Sequence, residues 1–295
     1  MSKRILLAAI CMAAVGAPVL AQGWDKAADL NLSMNQSGYS DSWAGGEYGA
    51  LNWTVNANLN AAKSLSDAWR SENSLKLTYG QTHGQYEDAE GALAWASPQK
   101  SADRIFFESL LRMTLGKFAD PYGAATFESQ FYDSSDPRAS RTLNPMMLTE
   151  SVGLGKSFVA AEDQKLFSRV GFALRQNMSK NFVDAVSEDT ERMTTNDGGI
   201  EWVTDYERAF GEELKVVSKL RAFKALYYSE SDALAGLPEE DYWKAVDMAW
   251  ETTLTASVAK YVQVNLFFEI LYDKQVELRG RFRETLGLGL TYQLF

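Results

Sequence analysis

Apolar and polar residues alternate along most of this chain with a period of two, which is typical of β-strands. In the stretch VQVNLFFEILY, Val264, Leu266 and Phe268 fall on one face, whereas Asn265 and Glu269 fall on the other. Strands in globular proteins average only about 5 to 6 residues. Strands that cross a bilayer at a tilt need about 9 to 11 residues. Because many of the alternating segments reach that length, the pattern predicts strands that span a membrane.

Twelve such segments follow one another, and an even number is typical of bacterial single-chain outer-membrane barrels. The predicted strands are 28–37, 47–62, 69–81, 103–116, 122–132, 146–159, 165–178, 199–210, 213–228, 242–259, 261–273 and 282–295. These boundaries predict an all-β fold, a transmembrane up-and-down antiparallel β-barrel of about 12 strands.

The connections between the predicted strands alternate in length. Short connections are predicted at 64–68, 117–121, 160–164, 211–212 and 260, and long ones at 83–102, 133–145, 179–198 and 229–241. Outer-membrane barrels combine short periplasmic turns with longer outer loops. The alternation therefore predicts that both termini lie on the periplasmic side.

A water-soluble β-sandwich is the main alternative, since its strands also alternate apolar and polar residues. Aromatic residues on the apolar faces, such as Trp53, Trp69, Tyr206 and Phe210, favour the barrel, because aromatic girdles mark both membrane interfaces. A closed barrel also leaves no unpaired sheet edge in lipid.

The N-terminus has the pattern of a secretory signal. Lys3 and Arg4 precede an apolar run from Ile5 to Leu20, which Ala21 follows. The run is short for a retained membrane helix, which needs about 20 apolar residues. We therefore expect residues 1–21 to be a signal peptide and residues 22–295 to form the barrel in the bacterial outer membrane.

The net charge and the cysteine content exclude several classes of function. The formal net charge is −10, and such an acidic protein is not expected to bind nucleic acid. The single cysteine, Cys11, lies within the predicted signal, so residues 22–295 have no disulfide, thiolate nucleophile or cysteine metal ligand. Ile10 precedes it, whereas a lipoprotein cysteine would follow a small residue.

The inward-facing positions of the later strands carry charges. Acidic and basic rows alternate from strand to strand, as pairing of opposite charges across neighbouring strands favours. The predicted lumen charges are Arg169, Arg175, Glu201, Asp205, Glu207, Lys215, Lys219, Arg221, Asp247, Glu251, Glu269 and Arg283. Glu150 and Lys156 fall on the lipid-facing side of the sixth predicted strand, where a β-bulge could shift the register.

Catalytic signals are weak. SVGLGKS resembles the end of a phosphate-binding loop, but Glu150 stands where its first glycine would be, and no helical pattern follows. His83 is the sole histidine and has no serine or acidic partner at a catalytic spacing. The sequence predicts no catalytic residue, no cofactor and no metal site.

The chain ends in GLGLTYQLF, which resembles the C-terminal assembly signal of bacterial outer-membrane proteins. Tyr292, Leu294 and Phe295 carry this resemblance, although Phe295 is one residue out of register with the lipid-facing row. The resemblance implies that outer-membrane lipid and the barrel-assembly machinery are partners of this protein.

A wider resemblance links the chain to a bacterial family known only as a domain of unknown function, whose members are presumed outer-membrane proteins. It is carried by SWAGGEYGALNWTVNANLN, LKLTYGQ, LTASVAKYVQVNLFFEILYD and GLGLTYQLF. We expect a narrow channel for small solutes, weakly cation-selective through its acidic outer loops, or a structural membrane protein. An outer-membrane enzyme and a transporter of hydrophobic compounds remain alternatives.

Overall fold

The computed structural model describes residues 23–40, 47–116 and 118–293. Within these residues the chain forms twelve long strands. They are β1 (Asp25–Ser37), β2 (Ala50–Ser64), β3 (Trp69–Glu87), β4 (Gln99–Met113), β5 (Asp120–Ser129), β6 (Met146–Ala160), β7 (Gln164–Phe182), β8 (Thr190–Phe210), β9 (Leu214–Tyr228), β10 (Val246–Ala259), β11 (Val262–Tyr272) and β12 (Arg281–Gln293). Short strands at Leu93–Trp95, Tyr132–Asp133 and Arg141–Thr142 and one 3-10 turn, Tyr242–Lys244, lie in the connections.

Each long strand pairs antiparallel with the next, and β1 pairs with both β2 and β12, so the sheet closes on itself. The predicted all-β antiparallel barrel is thereby confirmed. Within the described residues, the closing seam between β1 and β12 runs from Asp29 with Gln293 to Ser33 with Gly289. In contrast, β1 pairs with β2 along its whole length.

Short and long connections alternate, but two predicted long loops have wrong boundaries. The predicted loop 83–102 is largely strand, since β3 continues to Glu87 and β4 begins at Gln99. Likewise, β8 begins at Thr190, inside the predicted loop 179–198. Both extensions are polar on their two faces. Hydrophobic alternation marks only the part of a strand that faces lipid, so it could not reveal strand that continues into water.

The outer surface is apolar. Leu286 and Leu288 on β12 are 68% and 60% exposed, and Val152 on β6 is 63% exposed. Isolated apolar side chains at a protein surface are common, but continuous apolar bands mark a lipid or partner interface. The band matches the lipid-facing band of membrane barrels.

Polar groups within this outer band satisfy one another. The Trp202 indole N–H donates a hydrogen bond of 2.8 Å to Ser168 Oγ, which lies 2.9 Å from Thr204 Oγ1. The same arrangement recurs two strands later, where Trp250 donates to Ser218 and Ser218 pairs with Thr252. Paired hydroxyls lower the cost of placing polar groups against hydrocarbon.

The interior of the barrel is mainly polar, unlike the apolar core of a soluble protein. Polar and charged side chains outnumber apolar ones among the buried residues that the structure describes. A small apolar cluster of Ala173, Phe223 and Ala225 packs against Trp243. Because charged residues are rarely buried unless paired, the partners of these inward charges decide what the lumen can do.

Glu150 and Lys156 stay on the outer surface. The register irregularity in β6 lies between Ser157 and Val159, beyond both residues, so it does not turn them inward. Glu150 is exposed in the middle of the apolar band. The Lys156 ammonium lies 4.6 Å from the ring centre of Phe118, a cation–π contact that accommodates its charge.

Several sequence predictions lie outside the described residues. They are the signal peptide, residues 1–21, with Cys11, and the terminal Leu294 and Phe295. Tyr292 is described, is 57% exposed and pairs with Leu30. No helix in the described ranges is long and apolar enough to cross a membrane.

Candidate functional site: the ion-pair network inside the barrel

Two acceptors and two donors inside the barrel form its central ion pairs. Glu108 on β4 accepts hydrogen bonds from Arg169 Nη2 at 2.6 Å and from Lys219 Nζ at 2.7 Å. Arg169 lies on β7 and Lys219 on β9, so neither belongs to a strand next to β4. Lys219 also lies 3.2 Å from Asp205. Glu108 therefore holds three separate parts of the wall together.

A second cluster spans the whole lumen. Arg104 on β4 donates a hydrogen bond of 2.6 Å to Glu251 on β10, and these two strands are diametrically opposite in the ring of twelve. Arg104 also lies 3.3 Å from Glu128 and 3.8 Å from Glu269. Arg221 on β9 pairs with Glu128. The chord from Arg104 to Glu251 divides the lumen into two parts.

Phe106 sits between these clusters on the inward face of β4 and is only 2% exposed. Four cations surround its ring at 5.3 to 5.7 Å from the centroid, namely Lys76, Arg104, Lys219 and Arg221. Cations are attracted to the face of an aromatic ring, and the attraction is stronger where water is excluded. The ring therefore supports the four positive side chains at the centre of the barrel.

A third group lies among β7, β8 and β10. The Arg175 guanidinium binds Asp197 through two hydrogen bonds, of 2.8 and 2.7 Å, and lies 2.8 Å from Asp247. It also stacks 3.7 Å from the ring centre of Phe223. Two parallel hydrogen bonds fix the orientation of a guanidinium as well as neutralising it.

The remaining predicted lumen charges are peripheral or unpaired. Lys215 and Glu207 form a pair of 2.8 Å with both side chains largely exposed, and Arg283 pairs with Glu269 at 2.8 Å. Glu201 is buried and forms no ion pair within the described residues; its Oε2 has no hydrogen-bond partner there.

Unpartnered polar atoms gather around Arg169. Its Nε and Nη1 atoms, Glu201 Oε2 and the Tyr122 hydroxyl are buried without a hydrogen-bond partner among the described residues. Buried polar groups nearly always bond to protein or to ordered water. Leaving such a group unsatisfied costs about 1 to 3 kcal/mol. We therefore expect water to reach this part of the lumen.

The sequence predicted that charges pair between neighbouring strands, and such pairs are present at Arg175–Asp197, Lys219–Asp205 and Arg283–Glu269. Further contacts, such as Arg104–Glu251, cross the lumen, and the sequence did not predict them. Sequence reasoning missed Arg104, Glu108, Glu128 and Phe106 on β4 and β5. A signal was present: in DRIFFES, Arg104, Phe106 and Glu108 share the face opposite to Ile105 and Phe107. The run of three apolar residues concealed this alternation.

The structure supplies little for catalysis. His83 lies in β3 opposite Leu51. Among the residues that the structure describes, no three His, Cys, Asp or Glu side chains are grouped so that they could hold a metal ion.

The family described as "Protein of unknown function (DUF3078)" matches residues 34–134, about a third of the chain. This match includes SWAGGEYGALNWTVNANLN and LKLTYGQ, and it ends before the other two stretches that carry the family resemblance. No curated protein sequence matches this chain.

Solved structures with a similar course of the chain are outer-membrane barrels. The COG4313 outer membrane channel from Pseudomonas putida F1 has 11% identity and a TM-score of 0.40, with 93% of this chain and 96% of that chain covered. The NanC porin has 9% identity and a TM-score of 0.37, with coverage of 90% and 98%.

The translocator domain of the autotransporter NalP from Neisseria meningitidis has 7% identity and a TM-score of 0.35, with coverage of 98% and 95%. All three similarities are weak. The barrel fold therefore rests on the strand pairing of this chain itself.

Proposed function

We propose that this protein is a narrow outer-membrane channel for small solutes, constricted by ion pairs that cross its lumen. The observation that carries the proposal is the 2.6 Å hydrogen bond between Arg104 and Glu251 on opposite walls, inside a barrel with an apolar exterior. Side chains that join opposite walls leave only part of the lumen free for passage. A wide, general pore does not fit this interior.

The apolar outer band and the closed sheet support a location in the outer membrane. The start of β1 and the end of β12 lie on the same side of the barrel as the short connections, which supports periplasmic termini. Labelling of a single cysteine introduced at Ser66, in a short connection, tests this orientation. A membrane-impermeant maleimide should not reach Ser66→Cys in intact cells, but it should reach Glu230→Cys in a long connection.

Ion conduction tests the channel itself. Purified protein in a planar bilayer should show small, discrete current steps. Arg104→Ala and Glu251→Ala should each raise the step size several-fold, because each removes the chord across the lumen. Lys215→Ala is the matched control, since its pair with Glu207 is exposed and crosses nothing.

If the parent and both lumen variants carry no current and admit no neutral solute although all are folded, the protein is a closed, structural barrel. Heat-dependent migration in gels identifies the folded barrel in each sample.

We also propose that the terminal residues Tyr292, Leu294 and Phe295 direct assembly. Phe295→Ala should lower the amount of folded barrel in the outer membrane of cells, whereas refolding of the purified chain into detergent should be unchanged. Equal amounts of the parent and the variant in cells would show that Phe295 has no role in recognition.

A further inference from the structure

The two parts of the lumen on either side of the Arg104–Glu251 chord differ in burial. On the side of β5 to β9, the inward residues Arg169, Val203 and Lys219 are 2%, 0% and 9% exposed. On the side of β12, β1 and β2, Asn31 and Thr291 are also nearly buried, but the inward positions Ser33, Asn56, Asn58 and Gly287 are half-buried. Exposure of an inward residue in a closed barrel is exposure to the lumen. The less filled part of the lumen therefore lies along β12, β1 and β2.

The register places these residues on the inner face. Asn31 on β1 is 8% exposed, and its amide donates a hydrogen bond of 2.8 Å to Thr291 on β12. Asn56 pairs directly with Asn31, so the two share a face. The neighbours Leu30 and Leu32 are 40% and 43% exposed on the outer face.

Asp29 on β1 and Arg283 on β12 carry charges towards the two ends of this wall, and the inward side chains between them are amides and hydroxyls. From residue 52 to residue 60, every inward position of β2 is asparagine or threonine. The carboxamide oxygens of Asn52 and Asn56 accept hydrogen bonds from Thr82 at 2.7 Å and Thr78 at 2.9 Å, which leaves their N–H donors available. Asn58 forms no side-chain hydrogen bond within the described residues. An amide can both donate and accept, which suits hydroxyl and amide groups of a solute.

Two glycines on β12 let β1 lie close to this strand. Gly287 and Gly289 alternate with the outward leucines of β12, so they face the lumen. A Cβ at Gly289 would lie 2.7 Å from the Leu32 carbonyl oxygen, and one at Gly287 would lie 2.9 Å from Ser33 Oγ. A side chain at Gly289 would displace the β1 backbone, whereas one at Gly287 would displace only the Ser33 side chain. The close approach of β1 to β12 therefore depends mainly on Gly289.

Building on the proposed channel function, we propose that solutes cross along the wall of β12, β1 and β2, and that they are small neutral molecules with hydroxyl or amide groups. Between Asp29 and Arg283, an ion on this path loses water and meets no opposite charge on the wall itself, so its transfer is unfavourable. A neutral polyol exchanges its hydrogen bonds with water for bonds to asparagine and threonine. The ion pairs in the charged half of the lumen stabilise the barrel wall.

Liposome swelling measures this path directly. Proteoliposomes of the parent should swell in isotonic arabinose and more slowly in isotonic sodium gluconate. Asn56→Trp should slow swelling in arabinose several-fold, because its side chain enters the free part of the lumen. Ala57→Trp is the matched control, since the adjacent residue points to lipid, and its rate should equal that of the parent.

A second pair of variants separates the two halves of the lumen. Lys215→Ala, which breaks an exposed pair on β9 outside the central network, should leave the arabinose rate unchanged, whereas Asn58→Trp should reduce the rate. Every variant is compared with the parent at equal amounts of folded barrel in the liposomes.

The outcomes separate the path from the channel. If the parent swells in arabinose but Asn56→Trp and Asn58→Trp have no effect, the proposed path is wrong and the channel stands. Equal parent rates in arabinose and gluconate would overturn the neutral solute class. If the parent neither swells nor conducts, the channel function itself fails.

Discussion

Arg104 and Glu251 lie 147 positions apart in the sequence, yet their side chains meet at 2.6 Å inside the barrel. The contact joins strands at opposite ends of a diameter, and no local rule of strand pairing produces it. The contact pairs two opposite charges, and it also joins two opposite walls of the barrel. It also limits the bore of the barrel.

Removing one partner of this pair should be costly. Arg104→Ala should lower the free energy of unfolding by about 3 to 5 kcal/mol, because the carboxylates of Glu251 and Glu128 lose a buried partner. Reversible urea unfolding in lipid vesicles measures the loss. Lys215→Ala, which breaks an exposed pair, should cost only about 0 to 1 kcal/mol. Similar losses in the two variants would show that the central pair contributes no more than a surface pair.

A double-mutant cycle tests the coupling itself. If the Arg104–Glu251 contact matters, Arg104→Ala should cost less in the Glu251→Gln background than in the parent. Additive losses would place the stabilisation with the other partners of Arg104.

The two faces of β11 should respond differently to a charge. Leu266→Arg should cost about 2 to 4 kcal/mol, because it places a cation against hydrocarbon near mid-membrane. Asn265→Arg, one residue away, faces the lumen and should cost less. Reversible unfolding of both variants in the same lipid measures the two losses of stability. A larger loss for Asn265→Arg would contradict the assignment of the faces.

Closure of the barrel predicts a specific cross-link. Leu32 on β1 and Leu290 on β12 are direct partners, and directly opposed Cα atoms in antiparallel strands are about 4.5 to 5.5 Å apart. That spacing permits a disulfide. Leu32→Cys with Leu290→Cys should therefore oxidise readily and alter gel migration without reducing agent. Leu32→Cys with Leu286→Cys is the control, because Leu286 has no partner on β1. Efficient cross-linking of the control would show that the seam slides.

Two of the long connections should separate at low pH. Arg138 binds Asp136 at 2.7 Å and also donates to the backbone carbonyls of Asp184 and Ser187, which joins the loop 130–145 to the loop 183–189. Hydrogen bonds from the Arg138 side chain and backbone N–H lower the pKa of Asp136 from 3.8 to about 2. Backbone N–H groups of Ser187 and Val186 lower the pKa of Asp184 as well.

A lowered pKa means that the folded arrangement favours the ionised form. The loop contact should therefore be complete above about pH 4 and weaken as the pH falls towards 2. Spin labels at Ser134→Cys and Glu188→Cys should report a narrow distance distribution at pH 6 and a broad one near pH 2. Asp136→Asn should broaden it at both pH values. A distribution that stays narrow in this variant would show that Asp136 does not hold the loops.

The sequence by itself determined the class of fold. Period-two alternation decided which residues of β11 face outward, because a strand turns successive side chains to opposite faces. The same rule placed Arg169, Lys219 and Glu251 on the inner face. The alternation did not mark the outer ends of β3 and β8, where both faces meet water and the apolar signal disappears.

Only the tertiary structure decided which charges meet. Pairing between neighbouring strands follows from sequence order, but a contact between β4 and β10 depends on the width of the closed barrel and on the reach of two long side chains. The same geometry separates the charged groups around Arg104 and Glu108 from the uncharged side chains of Asn56 and Asn58. No pattern along one strand contains that division, because it arises between strands that are distant in the chain and meet only when the sheet closes.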